Sequence, residues 1–183
     1  MGCKDSDAYL QASLYAYKLE PSADAAIGCA AMAFKKGDID GSVKFFDEAI
    51  SYETDNVKKA ESAYKAASVL ASAKKISQAR SYAQKAISFN ENYGAPYILI
   101  AQLYAGNYKW NDEPALNKCT FFAAIDKLQR AKAVDPSVAE EANKLISSYS
   151  AYTPEAKDLF MLGYKAGDRI TIGGWIGETT TIR

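Results

Sequence analysis

Apolar residues recur every three to four positions along most of the chain, and short turns interrupt them. The clearest run is Ala23 to Thr54: one apolar stripe ends at Phe34, Gly37-Asp38 breaks the pattern, and a second stripe begins at Ile39. This spacing is typical of amphipathic helices, and glycine tolerates the left-handed backbone that ends a helix. The run therefore predicts two helices of about three turns each. Because helices this short are unstable alone in water, they must pack on each other and on neighbours.

The same unit returns twice further along the chain. A second copy spans about 60–93, after a short linker from Asp55 to Lys59, and has Lys74-Lys75 in its turn. A third copy spans about 94–137 and carries a polar insertion, Gly106 to Lys118, between its two helices. Long loops of this kind are often functional, and Trp110 is its most informative residue. The sequence leaves open whether Trp110 folds back onto the repeat or stays available to a partner.

Single helices flank the three units. Residues 5–21 have the pattern of a second repeat helix whose first helix is missing, so we expect the chain to be a fragment of a longer protein. Residues 138–152 predict one more helix with a polar outer face, as the end of a repeat array requires. The helical array is therefore predicted to cover residues 1–152, the first unit being about 23–56.

The periodicity changes after Pro154, and residues 153–183 form a separate C-terminal extension. Residues 169–172 and 179–183 alternate apolar and polar side chains around a glycine-rich segment, which predicts a β-hairpin. A lone hairpin is marginally stable, so we expect it to pack on the last helices, with Trp175 as its anchor. Residues 158–164 fit either a third strand or a short helix.

The repeated unit resembles the tetratricopeptide repeat, a helix pair with a period of about 34 residues. The positions that carry the resemblance are Gly37, Ser42, Phe46 and Ala49 in the first unit, and Tyr97, Ile100, Ala101 and Tyr104 in the third. The resemblance implies an all-α fold in which helix pairs stack into a right-handed superhelix, here with a small C-terminal β-hairpin.

A wider resemblance covers nearly the whole chain. It rests on the alanine-rich units, the segment PYILIAQLYAG, the stretch that begins FFAAIDKLQRAKAVDP, and the closing GDRITIGGWIGETTTIR. Together these resemble the C-terminal part of a tetratricopeptide family from Bacteroidetes-type bacteria, whose members carry a signal peptide and have no defined biochemical role. The resemblance implies a periplasmic or cell-envelope protein, with the cytoplasm as the alternative.

Charge and composition narrow the classes of function. Lys+Arg and Asp+Glu are both 22, so the formal net charge is zero, which argues against binding to nucleic acid or to an anionic membrane. No apolar run approaches the length of a membrane span. The chain has no histidine, the commonest general base and metal ligand, so we expect neither a metal nor another cofactor. Asp112 and Glu113 are adjacent acids without a catalytic motif, and we do not expect an enzyme.

The three cysteines show no metal-binding or redox spacing. Cys29 lies on an apolar helix face and is expected in the core, whereas a disulfide between Cys3 and Cys119 stays open. Residues 1–6 match the N-myristoylation pattern, with Cys3 open to palmitoylation. We favour the simpler interpretation that Met1 and Gly2 were added before a truncated chain.

The resemblance implies a protein-interaction scaffold that binds a protein or peptide partner on its concave face, which the first helices line. The groove positions are Ile27, Ala31, Phe34 and Lys35 in the first unit, Tyr64, Ser68 and Ser72 in the second, and Ile98, Gln102 and Ala105 in the third. The alternative is a structural or assembly role, in which the edge of the C-terminal hairpin pairs with another chain. The sequence leaves the partner and the oligomeric state open.

Overall fold

The computed structural model describes residues 7–183, and they form two compact units. Unit 1 runs from the first described residue to Glu91, and unit 2 from Asn92 to Arg183. The proposed lipidation pattern and Cys3 lie outside the described residues.

Unit 1 consists of helices that pack in chain order, each against the next. They are α1 (Asp7–Leu19), α2 (Ala23–Lys35), α3 (Ile39–Tyr52), α4 (Asn56–Ser72) and α5 (Ile76–Phe89). The two predicted helix pairs are α2 with α3 and α4 with α5.

The turns inside these two pairs have the same geometry although their sequences differ. Gly37 (φ 79°) and Lys74 (φ 57°) both adopt the left-handed conformation. In each turn the following residue donates its N–H to a carbonyl five positions back: Asp38 to Ala33 and Lys75 to Leu70, both at 2.9 Å. This bond closes a Schellman motif, which satisfies carbonyls at the helix end. The Lys74-Lys75 turn is therefore equivalent to the Gly37-Asp38 turn despite lacking glycine.

Helix α4 begins earlier than the sequence predicted. The Asp55 carboxylate accepts the Val57 N–H at 2.8 Å and caps the helix, so residues from Asn56 onward are helical. The prediction of a linker from Asp55 to Lys59 is wrong, because an aspartate N-cap can start a helix without a preceding apolar residue.

Small side chains dominate the core of unit 1. The fully buried positions include Ala26, Ala30, Ala49, Ala60, Ala63, Ala66, Ala67, Ala79, Ala83 and Ala86. Helices α1 and α2 approach closely at Gly28, where an added Cβ would lie 2.1 Å from Ser13 Oγ. Outside this core, Asp47 on α3 accepts the Tyr82 hydroxyl (2.5 Å) and pairs with Lys85 (2.9 Å) on α5. Cys29 is buried, as expected.

Unit 2 contains one more helix pair, α6 (Gly94–Gly106) with α8 (Thr120–Val134), and α9 (Ala139–Ser150) packs on α8. The insertion carries a short helix, α7 (Pro114–Lys118), and a 3-10 turn at Pro136–Val138 precedes α9. The chain ends with α10 (Ala156–Met161), β1 (Arg169–Thr171) and β2 (Thr179–Thr181). The strands pair antiparallel, with Ile170 opposite Thr180. The alternatives left open for residues 158–164 are resolved, since most of that segment lies in α10.

The hairpin packs on α8 through an isoleucine face, and hydrogen bonds and an ion pair connect it to unit 2. Ile170, Ile172, Ile176 and Ile182 are all buried. Thr180 Oγ1 donates to Asp126 at 2.6 Å, and Glu178 accepts the Tyr104 hydroxyl at 2.6 Å and pairs with Lys127 at 2.8 Å. Trp175 is only half-buried and meets the Tyr104 ring edge-on, with centroids 5.5 Å apart. The isoleucines therefore anchor the hairpin, and Trp175 covers one side of the contact.

Candidate functional site

A groove lies between helices α2 and α4 in unit 1, where the sequence predicted a concave binding face. Each helix presents residues at positions i, i+3, i+4 and i+7, which lie on one helix face. The groove has a volume of about 410 Å³. We call it the α2–α4 groove. The residues that line it are Asp24, Ile27, Gly28, Ala31, Phe46, Glu53, Lys58, Glu61, Ser62 and Lys65.

The α2–α4 groove has an apolar floor and a charged rim. Ile27, Ala31 and Phe46 form the floor. On the rim, the Glu53 carboxylate accepts the N–H groups of Thr54 (3.0 Å) and Asp55 (3.2 Å) and stands 3.9 Å from Lys58. Apolar floors with polar rims are the usual arrangement at protein interfaces.

Four further predicted residues continue the two helix faces beyond the groove lining. Phe34 and Lys35 follow Ala31 by three and four positions, and both are exposed. Ser68 and Ser72 follow Lys65 on α4, and their hydroxyls donate to the carbonyls of Tyr64 and Ser68, each at 3.0 Å. Phe34, Lys35 and Ser68 therefore lie about one helical turn beyond the groove lining, and Ser72 about two turns beyond it.

The other predicted residues lie elsewhere. Tyr64 packs beside the buried cluster of Ile50, Ala63 and Ala86 and is outside the groove lining. Ile98 is only 4% exposed and is outside the groove lining, so its role in binding stays a prediction. Helix α6 is apolar on nearly every side, so helical periodicity could not distinguish its surface from its core. Gln102 and Ala105 line a different site, in unit 2.

That second site is a cleft of about 900 Å³ between the end of α6, the insertion, the start of α8 and the end of α9. We call it the aromatic cleft. Its lining is Gln102, Ala105, Gly106, Tyr108, Lys109, Asn111, Asp112, Pro114, Asn117, Lys118, Phe121, Tyr149 and Tyr152. The volume lies within the range of ligand pockets.

Phe121 is the centre of the aromatic group in the cleft. Its ring centroid is 5.5 Å from that of Tyr108, 5.9 Å from that of Tyr149, and 5.5 Å from that of Tyr152, on which it stacks. Tyr152 is 58% exposed, and burial raises the pKa of Tyr149. These rings give the cleft an aromatic surface that includes tyrosine hydroxyl groups.

One buried side chain holds the wall of the cleft in place. Asn117 Oδ1 accepts the N–H groups of Trp110 (2.7 Å) and Asn111 (2.8 Å), and its Nδ2 donates to the Asn111 carbonyl (2.7 Å). Thr120 Oγ1 adds a bond to the Tyr108 carbonyl at 3.1 Å. The insertion is thus an ordered loop with a defined shape.

Trp110 folds back onto the C-terminal hairpin. A Cβ added at Gly173 would lie 2.7 Å from Trp110 Cε3, so the indole rests directly on the glycine backbone. Its buried Nε1 has no hydrogen-bond partner. Of the two interpretations of Trp110, the structure supports the fold-back, although onto the hairpin. No periodic pattern connects positions 110 and 173, so this contact could not be predicted without coordinates.

Cys29 and Cys119 are buried free thiols, and burial raises the pKa of Cys119 to about 11. The Cys119 thiol donates to the Ala115 carbonyl at 3.6 Å. Within residues 7–183 no group of Cys, Asp and Glu is placed to hold a metal ion. Over the same span, no helix is both long enough and apolar enough to cross a membrane.

Comparison with known proteins supports the fold. The chain is similar to the crystal structure of MamA, a protein that contains tetratricopeptide repeats, with a TM-score of 0.55 and 16% sequence identity. The similarity covers 88% of this chain and 94% of that chain. It confirms the predicted class, an all-α fold of tetratricopeptide-like helix pairs with a small hairpin. No sequence profile of a protein family matches the chain. A search of curated proteins found no match either.

Proposed function

We propose that the chain is a non-catalytic protein-interaction scaffold that holds an apolar segment of a partner protein in the α2–α4 groove. The observation that carries the proposal is the groove itself, with its apolar floor and charged rim. The tetratricopeptide-like fold supports a scaffold in general. The resemblance to an exported family supports a place in the cell envelope, which cell fractionation would test.

The partner segment is expected to carry both apolar and charged side chains. Two or three apolar residues would cover Ile27, Ala31 and Phe46. Asp24 and Glu61 add acidic groups to the rim, and Lys65 adds a basic one. Such rim charges set the orientation and the association rate of a partner more than its affinity.

The alternative, assembly through the edge of the C-terminal hairpin, finds less support. Each strand has three residues, and the isoleucine face packs on the unit's own helices. An edge this short offers few backbone groups to another strand.

The experiment is quantitative capture of native partners by the wild-type chain and by an Ala31→Glu variant. Ala31 is half-buried on the groove floor, so a carboxylate there would block apolar contact while leaving the core unchanged. We expect the variant to fail to capture at least one partner that the wild-type chain captures specifically.

The matched control is Gln84→Glu, which adds the same charge on the exposed surface of α5. It should retain every partner, and melting curves should show both variants folded. Retention of all partners by a folded Ala31→Glu variant would contradict the proposal. A second variant, Lys58→Glu, reverses a rim charge and should weaken the binding of the same partner.

A further inference from the structure

The two most exposed large apolar side chains among the described residues, Met161 at 83% and Phe160 at 72%, lie at the end of α10. Leu162, the next residue, is 39% exposed. We call these three residues the α10 knob. Clustered apolar groups with this exposure mark contact sites on folded proteins.

The α10 knob is held in a fixed conformation. Leu159, 1% exposed, anchors the helix in unit 2. Gly163 (φ 86°) ends the helix, and the Tyr164 N–H donates to the Leu159 carbonyl at 3.0 Å, a bond that closes a Schellman motif. The knob is therefore preorganised, which lowers the entropic cost of inserting it into a partner.

The same unit carries a receptor of matching chemistry. The aromatic cleft is open, ordered by Asn117, and has an apolar surface of Phe121 and Tyr152, whereas none of the knob residues lines it. Helix α7 forms part of the cleft and also packs against α10, so the knob and the cleft are neighbours on one copy. Each copy thus carries one knob and one cleft.

The charges around the knob favour another copy over a lipid surface. Glu155 pairs with Lys157 at 2.9 Å, and Asp158 and Lys165 add one charge of each sign. An anionic membrane would require a basic surplus. The chain's formal net charge is zero, so two copies do not repel each other through their net charge.

We propose that the protein self-associates by placing the α10 knob of one copy in the aromatic cleft of another. The contact is separate from the α2–α4 groove, so a self-associated scaffold would present several grooves together. Linked grooves bind a partner with several matching segments more tightly than one groove does.

The test is sedimentation equilibrium of the wild-type chain from micromolar to near-millimolar concentration. The weight-average mass should rise above that of the monomer. Met161→Asp in the knob and Gln102→Arg in the cleft should each weaken association at least tenfold, as should a second cleft variant, Tyr152→Ser. Val57→Asp, which places the same charge at a half-exposed apolar position of unit 1, should have no effect.

Mixing the variants makes the test specific. Met161→Asp keeps its cleft and Gln102→Arg keeps its knob, so an equimolar mixture retains one intact contact and should form a mixed complex. A wild-type chain that stays monomeric throughout would overturn the proposal. So would association that survives both variants, or variants that fail to complement each other.

Discussion

Units 1 and 2 are built from the same helix pair but stabilise it in different ways. In unit 1 the fully buried positions are mostly alanine, and the helices approach closely. Unit 2 buries larger side chains, among them Tyr104, Ile100, Leu128, Leu159, Ile172 and Ile176. An alanine core brings backbones together and leaves a groove between first helices. The larger core of unit 2 supports an insertion, an aromatic cleft and a docked hairpin.

This difference predicts that the two units respond to core mutations in opposite ways. The largest loss of stability is expected when a large buried side chain of unit 2 is shortened. Leu128 is fully buried, so Leu128→Ala should leave a cavity and lower the free energy of unfolding by about 2–5 kcal/mol. Chemical denaturation would measure it. A loss below that of an exposed substitution such as Gln84→Ala would contradict the described core of unit 2.

In unit 1 the buried side chains are mostly small already. Enlarging one of them should therefore destabilise the protein more than shortening one. Ala83 is fully buried, and Ala83→Leu should force the helices apart at a cost of about 1–3 kcal/mol in unfolding free energy. Placing leucine at the exposed neighbour Gln84 is the control and should change stability little. Equal tolerance of leucine at both positions would mean that the helices pack less closely than the structure shows.

The contact between the insertion and the hairpin provides a test confined to unit 2. Gly173→Ala would place a Cβ 2.7 Å from Trp110 Cε3 and should cost about 1–3 kcal/mol. In a Trp110→Ala background the same change should cost much less, because the clash is gone. Additive effects of the two substitutions, measured by a double-mutant cycle, would show that Trp110 does not rest on Gly173.

The two turns of unit 1 provide a smaller, paired test. Lys74 adopts φ 57°, which disfavours a residue with a Cβ, so Lys74→Gly should stabilise the protein by about 1 kcal/mol. Gly37→Ala should destabilise it by a similar amount, since Gly37 has the same conformation. Thermal melts would check both, and a change of the same sign in the two turns would contradict their equivalence.

The smallest expected effect is on the pH dependence of unit 2. The Ser137 hydroxyl lowers the pKa of Asp135, helped by the N–H groups of Gly94 and Ser137 and opposed by burial. Because the folded-state pKa is depressed, this stabilisation is present above the usual aspartate value and is lost as the pH falls below about 4. Asp135→Asn should remove that acid-dependent part, no more than about 1 kcal/mol. Urea denaturation at pH 7 and pH 3 measures it, and an unchanged pH slope would contradict it.

The sequence predicted those parts of the fold that a local pattern of apolar residues encodes. Helix pairs and the hairpin follow from periodicities of 3.6 and 2, so they could be predicted without coordinates. The start of α4 was missed because Asp55 acts through a capping bond that periodicity does not register.

The candidate sites were predicted less well, for a physical reason. Ile27 and Ala31 line a groove on the amphipathic helix α2, whereas Ile98 is buried on an almost wholly apolar helix. The aromatic cleft brings together residues up to fifty positions apart, and the α10 knob is exposed only because Leu159 takes the buried face. Such placements depend on tertiary packing, which a single sequence does not encode in any repeating pattern.

The central claim is that unit 1 offers a groove to partners while unit 2 carries the contact between copies. The most direct measurement is the amide ¹H–¹⁵N NMR spectrum of the wild-type chain as its concentration is raised. The account predicts shifts confined to α10 and the lining of the aromatic cleft, namely the end of α6, the insertion, the start of α8 and the end of α9, with the resonances of the α2–α4 groove unchanged. Shifts centred on the groove, or a spectrum independent of concentration, would contradict it.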